Sequence, residues 1–129
     1  MSAVLIIGLD PGVVDVNDPA IPRGTTPELI AQGLEEALAD MRERGWTAAF
    51  CPILPDESAE RTIADSLGQH AWDVVVIGAG VRMPPRNLQL FERVLNAVHR
   101  GAPNAQIAFN VSPRDSADAA QRRLSEVPQ

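Results

Sequence analysis

Three groups of residues in this chain are of types that could do chemistry together. Asp10, Asp15 and Asp18 are closely spaced in "LDPGVVDVNDP", and neighbouring carboxylates can supply a general base or bind a hard cation such as Mg²⁺. Gly78 and Gly80, followed by Arg82 and Arg86, combine a backbone that can approach an anion closely with two planar guanidinium forks. Asn110 and Ser112 follow a short apolar run and add neutral groups able to orient a ligand. Asp10 is the candidate catalytic residue, as base, polar anchor or metal partner. Asp-Pro-Gly and Asn-Asp-Pro are also ordinary turn formers, so the three acids are only weak candidates for a metal site.

Several chemistries are missing their residues. All eleven basic residues are arginine, which leaves no lysine for a nucleotide-binding P-loop or a Schiff base. The single cysteine, Cys51, cannot form an internal disulfide and fits a reducing compartment. His70 and His99 fall at the C-terminal ends of helical patterns, where a histidine serves the helix dipole. In a sheet with returning helices, that puts both at the edge away from the ligand site, so a Ser-His-Asp triad or a histidine-ligated metal has no members there. The net charge of −6 disfavours nucleic acid and anionic membrane surfaces. The N-terminal apolar run, residues 3–9, is too short to span a bilayer and lacks a basic leader. The expectation is a cytoplasmic protein.

These residues must be positioned by alternating strands and helices. "AVLIIGL" (3–9) and "DVVVIGA" (73–79) are continuous apolar runs rich in β-branched residues, as strands buried on both faces should be. "TAAFCP" (47–52) and "AQIAFN" (105–110) are more polar and read as edges. Helical stripes follow each run. The first carries Leu29, Ile30, Gly33, Leu34, Ala37, Leu38 and Met41, with Thr25 and Glu28 as a capping box and Gly45 as its end. The second, over 57–69, follows Asp56 as N-cap. The third puts Leu88, Phe91, Val94, Leu95 and Val98 on one face, with Leu90 beside it as an interface candidate. The fourth starts at Ser112-Pro113-Arg114-Asp115, and a tail over 125–129 frays.

The order βαβαβαβα predicts one α/β domain over 1–129, an open three-layer sandwich around a four-stranded parallel sheet. The strand order 2-1-3-4, Rossmann- or flavodoxin-like, places the two most apolar strands in the middle. The ligand crevice of such a sheet lies outside the carboxyl ends of strands 1 and 3. That edge gathers Asp10, Gly78, Gly80, Arg82, Arg86, Asn110 and Ser112. The segment 10–25 is longer than usual for a βα connection, and it carries Val13, Val14, Val16 and Ile21, which need cover. It is expected to fold over the crevice as a lid or to pack against a second subunit.

Short stretches imitate known motifs. "IIGLDPG" (6–12) resembles the opening of the Holliday-junction resolvases, whose aspartate holds Mg²⁺, but the likeness ends after seven residues and is read as coincidence. "VVVIGAGVR" (74–82) lacks the third glycine of a dinucleotide fingerprint, and Pro84-Pro85 delay the helix that should receive a pyrophosphate. A phospho-receiver needs an acceptor aspartate after strand 3, where this chain has Ile77-Gly78-Ala79. Over nearly its whole length, through 15–24, 75–85, 90–103 and 107–113, the chain resembles a set of small bacterial α/β proteins of no known activity. That resemblance implies the fold and carries no site residues.

Two functions follow as expectations. The first is a small-molecule binder or enzyme for an anionic ligand, phosphate or carboxylate, held by Arg82 and Arg86 against Gly78 to Gly80. In the counter-reading of those residues, Arg82 pairs with Asp10 or Asp15 and only pins the loop. The second is a non-catalytic homo-oligomeric regulatory or scaffold module, a homodimer or higher.

Overall fold

The computed structural model describes residues 1–126. Four strands, β1 (Ala3–Leu9), β2 (Thr47–Ile53), β3 (Val74–Ile77) and β4 (Gln106–Phe109), form one sheet in the order β2-β1-β3-β4. All three pairings are parallel, and Ile7 lies between Cys51 and Ile77 in register. The helices are α1 (Pro27–Glu43), α2 (Ala59–Leu67), a single turn α3 (Ala79–Arg82), α4 (Leu88–Gly101) and α5 (Ser116–Glu126). Ser125 and Glu126, expected in a frayed tail, belong to α5, and the rest of that tail lies outside the described residues.

The chain leaves β1 toward one side for β2 and then crosses back over β1 to β3. Right-handed crossovers in opposite directions put their helices on opposite faces, and the side-chain period of two divides the strands accordingly. Leu5, Ile7, Leu9, Cys51, Ile53, Val75 and Ile77 pack with α2 and α4. Val4, Ile6, Ala48, Val74, Val76 and Ala108 pack with α1 and α5. Every residue of β1 and β3 is buried, which is why both read as unbroken apolar runs.

Local chemistry fixes the helix ends. Pro27 is the first residue of α1, so Thr26 becomes the N-cap and its Oγ1 accepts from the Leu29 N–H at 3.1 Å. Thr25, expected in that place, instead donates its hydroxyl to Pro22 O. At the other end Trp46 N–H reaches Met41 O and Gly45 N–H reaches Arg42 O, the paired bonds of a Schellman cap. Gly45 has φ +87° there. Gly45→Ala is therefore expected to cost about 1 kcal/mol, the penalty of a β-carbon in the left-handed region, measured by urea denaturation.

Two expected details of the helices change. α4 buries Leu90, Val94, Ala97 and Val98 and leaves Leu88 exposed, so Leu90 belongs to the core rather than to an interface. The helix follows a 3₁₀ turn, Pro85–Asn87, whose buried Asn87 donates to Gly80 O at 3.0 Å, and Phe91, Val94, Leu95 and Val98 pack on the core as expected. α2 begins at Ala59 rather than at residue 57. The Asp56 carboxylate binds the Ser58 backbone and hydroxyl, holding that stretch in a turn.

Candidate functional site

The carboxyl ends of β1 and β3 open into a cavity of about 200 Å³. Its floor is Ile6, Gly8 and Phe50, one wall is Ile30 and Leu34 of α1, and the other is Gly78, Ala79, Gly80 and Met83. Val14, Ala20, Ile21, Pro22 and Thr25 of the long β1–α1 connection close it from above. The segment from Asn110 to Pro113 closes it beyond β4. Thr25, Asn110 and Ser112 are the polar side-chain types in the lining, and none of its residues is charged. Dry apolar cavities of roughly 150 Å³ hold a benzene ring, so this one is sized for a single ring or a branched aliphatic group.

Asn110 is the strut of the site and is 2% exposed. Its Oδ1 accepts from the Ala79 N–H at 2.8 Å, and its Nδ2 donates to Ser116 Oγ at 2.9 Å. Ser116 in turn donates to Pro113 O. These bonds tie the segment after β3 to the start of α5 across the sheet edge. They also bear on α3, a single turn at the place where the sequence suggested a backbone anion site over Gly78 to Gly80. With its first N–H held by Asn110, the chain from Gly78 turns once as a helix, closed by Val81 N–H to Gly78 O and Met83 N–H to Ala79 O. The Ala79 donor of the expected anion nest is thus already engaged by the protein's own amide.

The two arginines lie apart from the lining. Arg82 donates from Nη2 to Asn110 O at 2.8 Å, with its guanidinium 5.4 Å from the Phe109 ring centre. Its Nε is buried without a partner among the described residues. Arg86 forms the ion pair across the crevice that the counter-reading gave to Arg82. Its Nη1 is 2.9 Å from Asp15 Oδ2 and 3.5 Å from Asp18 Oδ2. The hydrogen bond from Arg86, followed by that from the Asn17 backbone, holds the Asp15 carboxyl below the usual aspartate range.

The acids have local duties as well. Asp10 Oδ1 accepts from Gly12 N–H at 2.9 Å and starts the 3₁₀ turn Pro11–Val13, and Asp10 does not line the cavity. Asp15 and Asp18 meet on a guanidinium, a cation that takes the place a metal ion would need. Among the described residues no group of three or more histidine, cysteine or acidic side chains could hold a metal ion. His70 stacks edge-on against Trp72 at the opposite end of the sheet, and His99 sits in the last turn of α4. Cys51 is buried, and burial pushes its thiol pKa up, which disfavours the reactive thiolate.

Of the expected ligand residues, Gly78, Gly80, Asn110 and Ser112 meet at one cavity, while Asp10, Arg82 and Arg86 stand around it. Sequence reasoning missed Ile6, Phe50, Ile30, Leu34 and Met83, because apolar residues at strand and helix spacing look the same whether they fill a core or line a hollow. No protein family and no curated protein matches the chain in sequence comparison.

Proposed function

We propose that the chain binds a small molecule at the carboxyl edge of its sheet, with an apolar body in the cavity and a polar or anionic group at its mouth. The observation that carries this reading is an uncharged hollow between the loops after β1 and β3, where doubly wound, Rossmann-like sheets receive ligands. An acidic group fits the mouth better than the floor, because the lining offers no charge to compensate it once buried. The reading names a ligand class and no reaction. None of the residues that line the cavity has a titratable side chain.

The test is a thermal-shift panel of monocyclic aromatic and branched aliphatic acids with their neutral amides. A compound present at about 100 times its Kd adds about 2.7 kcal/mol, which is roughly 10 °C for a chain of this size. The control is Gly80→Leu. A β-carbon there meets nothing within 4 Å, so the new side chain is expected to occupy the cavity wall, abolish the shift and leave the unliganded Tm within about 2 °C. A panel without any shift, or a variant that responds as the parent does, overturns the reading. Acids that shift no better than their amides remove the anionic part alone.

A second reading rests on one observation. Apart from Met1 at the opposite edge, the exposed large apolar residues of the described chain, Val13, Leu29, Leu54, Met83, Leu88, Phe109 and Val111, belong to segments at the same carboxyl edge, and such a rim can join two copies of the chain. Sedimentation of a monomer at every concentration would exclude it.

A further inference from the structure

The β1–α1 connection is a body of its own. From Val13 to Thr25 every backbone hydrogen bond recorded for it stays within residues 10–25: Val13 N–H to Asp10 O, Asp18 N–H to Asp15 O, Ile21 N–H to Asp18 O, Thr25 N–H to Pro22 O. Asp15 and Asp18 each turn Oδ1 inward, to the N–H of Asn17 and of Ala20, and Oδ2 outward. Both outward oxygens meet Arg86, on the far side of the crevice. Among the described residues this clasp is the polar bond recorded between residues 13–25 and any other part of the chain. The segment is also held by apolar contact, with Val14 packed against the core. At its end Gly24 has φ +83°, a left-handed conformation that glycine adopts without steric cost.

We propose that residues 13–25 form a lid over the cavity that opens as a unit, and that the Asp15–Arg86–Asp18 clasp is its latch and sets how often the cavity is accessible. The Arg86 side chain is 54% and the Asp15 side chain 42% exposed, so water and salt compete for the pair and the latch is weak enough to cycle. Asp18, at 9%, is the better shielded anchor. The inference rests on the binding reading for its purpose, but its physical content does not need a ligand.

The test uses thiol labelling. In a Cys51→Ala background, Leu34→Cys places a thiol on the cavity wall beneath the lid, where the native side chain is 8% exposed. Its rate of reaction with N-ethylmaleimide tracks the open fraction when opening is fast relative to labelling. Arg86→Gln is expected to raise that rate about two- to fivefold, and molar salt is expected to do the same to the parent and nothing to the variant. Met41→Cys is the control, since Met41 is fully buried on the same helix away from the cavity. An unchanged rate in Arg86→Gln, an absent salt effect, or an equal acceleration at the control position overturns the latch. Because no ligand enters this measurement, its failure leaves the binding reading standing, and a failed ligand panel leaves the latch testable.

Discussion

Asn110→Ala is expected to lower stability by about 2–3 kcal/mol, or roughly 7–11 °C in Tm, and to abolish binding in the cavity. The amide is the sole partner recorded for the Ala79 N–H and a donor to the buried Ser116 hydroxyl. Truncation leaves the Ala79 N–H without a partner and removes the donor to the Ser116 hydroxyl, which keeps its own bond to Pro113 O, and an unsatisfied buried group costs more than a hydrogen bond contributes. The binding loss has a separate cause, since the turn after β3 and the segment from Asn110 to Pro113 form two sides of the cavity and are joined through this one side chain. Asn110→Asp tests the account further. The carboxylate keeps the acceptor for Ala79 but places a charge at a position 2% exposed, which raises its pKa in the folded state. The folded chain then binds more protons than the unfolded one, so the variant should lose stability as pH rises and recover it as pH falls. Chemical denaturation across pH, with a thermal-shift assay for binding, checks both parts. A variant as stable as the parent at neutral pH would contradict the strut.

Ile7→Ala is expected to cost more, about 3–4 kcal/mol, roughly 11–15 °C, with little change in cavity affinity. Ile7 is fully buried in the centre of the sheet, flanked by Cys51 and Ile77 and covered by α2 and α4. Close-packed neighbours on a central strand relax little, so a void adds to the lost transfer energy. Its neighbour Ile6 points to the other face and lines the cavity. The pair therefore separates stability from binding: Ile7→Ala should shift the denaturation midpoint and spare ligand affinity, while Ile6→Ala should alter affinity as well. Equal effects of both on affinity would mean that the cavity depends on global packing rather than on its own wall.

The core and the site were legible to different degrees. Apolar runs with β-branched residues announced β1 and β3, and the helical stripe ending at Gly45 announced α1 although its N-cap is Thr26 rather than Thr25, because those signals act within a few residues. The same signals missed the single turn α3, which exists because Asn110, far along the chain, takes the Ala79 N–H. They also put Leu88 on the buried face of α4 and Leu90 beside it, whereas the structure exposes Leu88 and buries Leu90; Phe91, Val94, Leu95 and Val98 pack on the core as expected.

The sequence by itself determined the alternating α/β order, the 2-1-3-4 sheet and the edge at which loops collect, since hydrophobic period and crossover handedness depend only on local pattern and chain direction. It also brought Asp10, the two arginines, Asn110 and Ser112 to that edge. Only the tertiary structure decided which of them face one hollow and which face each other. Charged side chains reach several partners from one backbone position, and the nearest opposite charge depends on how a long loop lies. Arg86 turned to Asp15 and Asp18, Asn110 turned to the backbone of Ala79, and the space left between them is bounded by apolar residues.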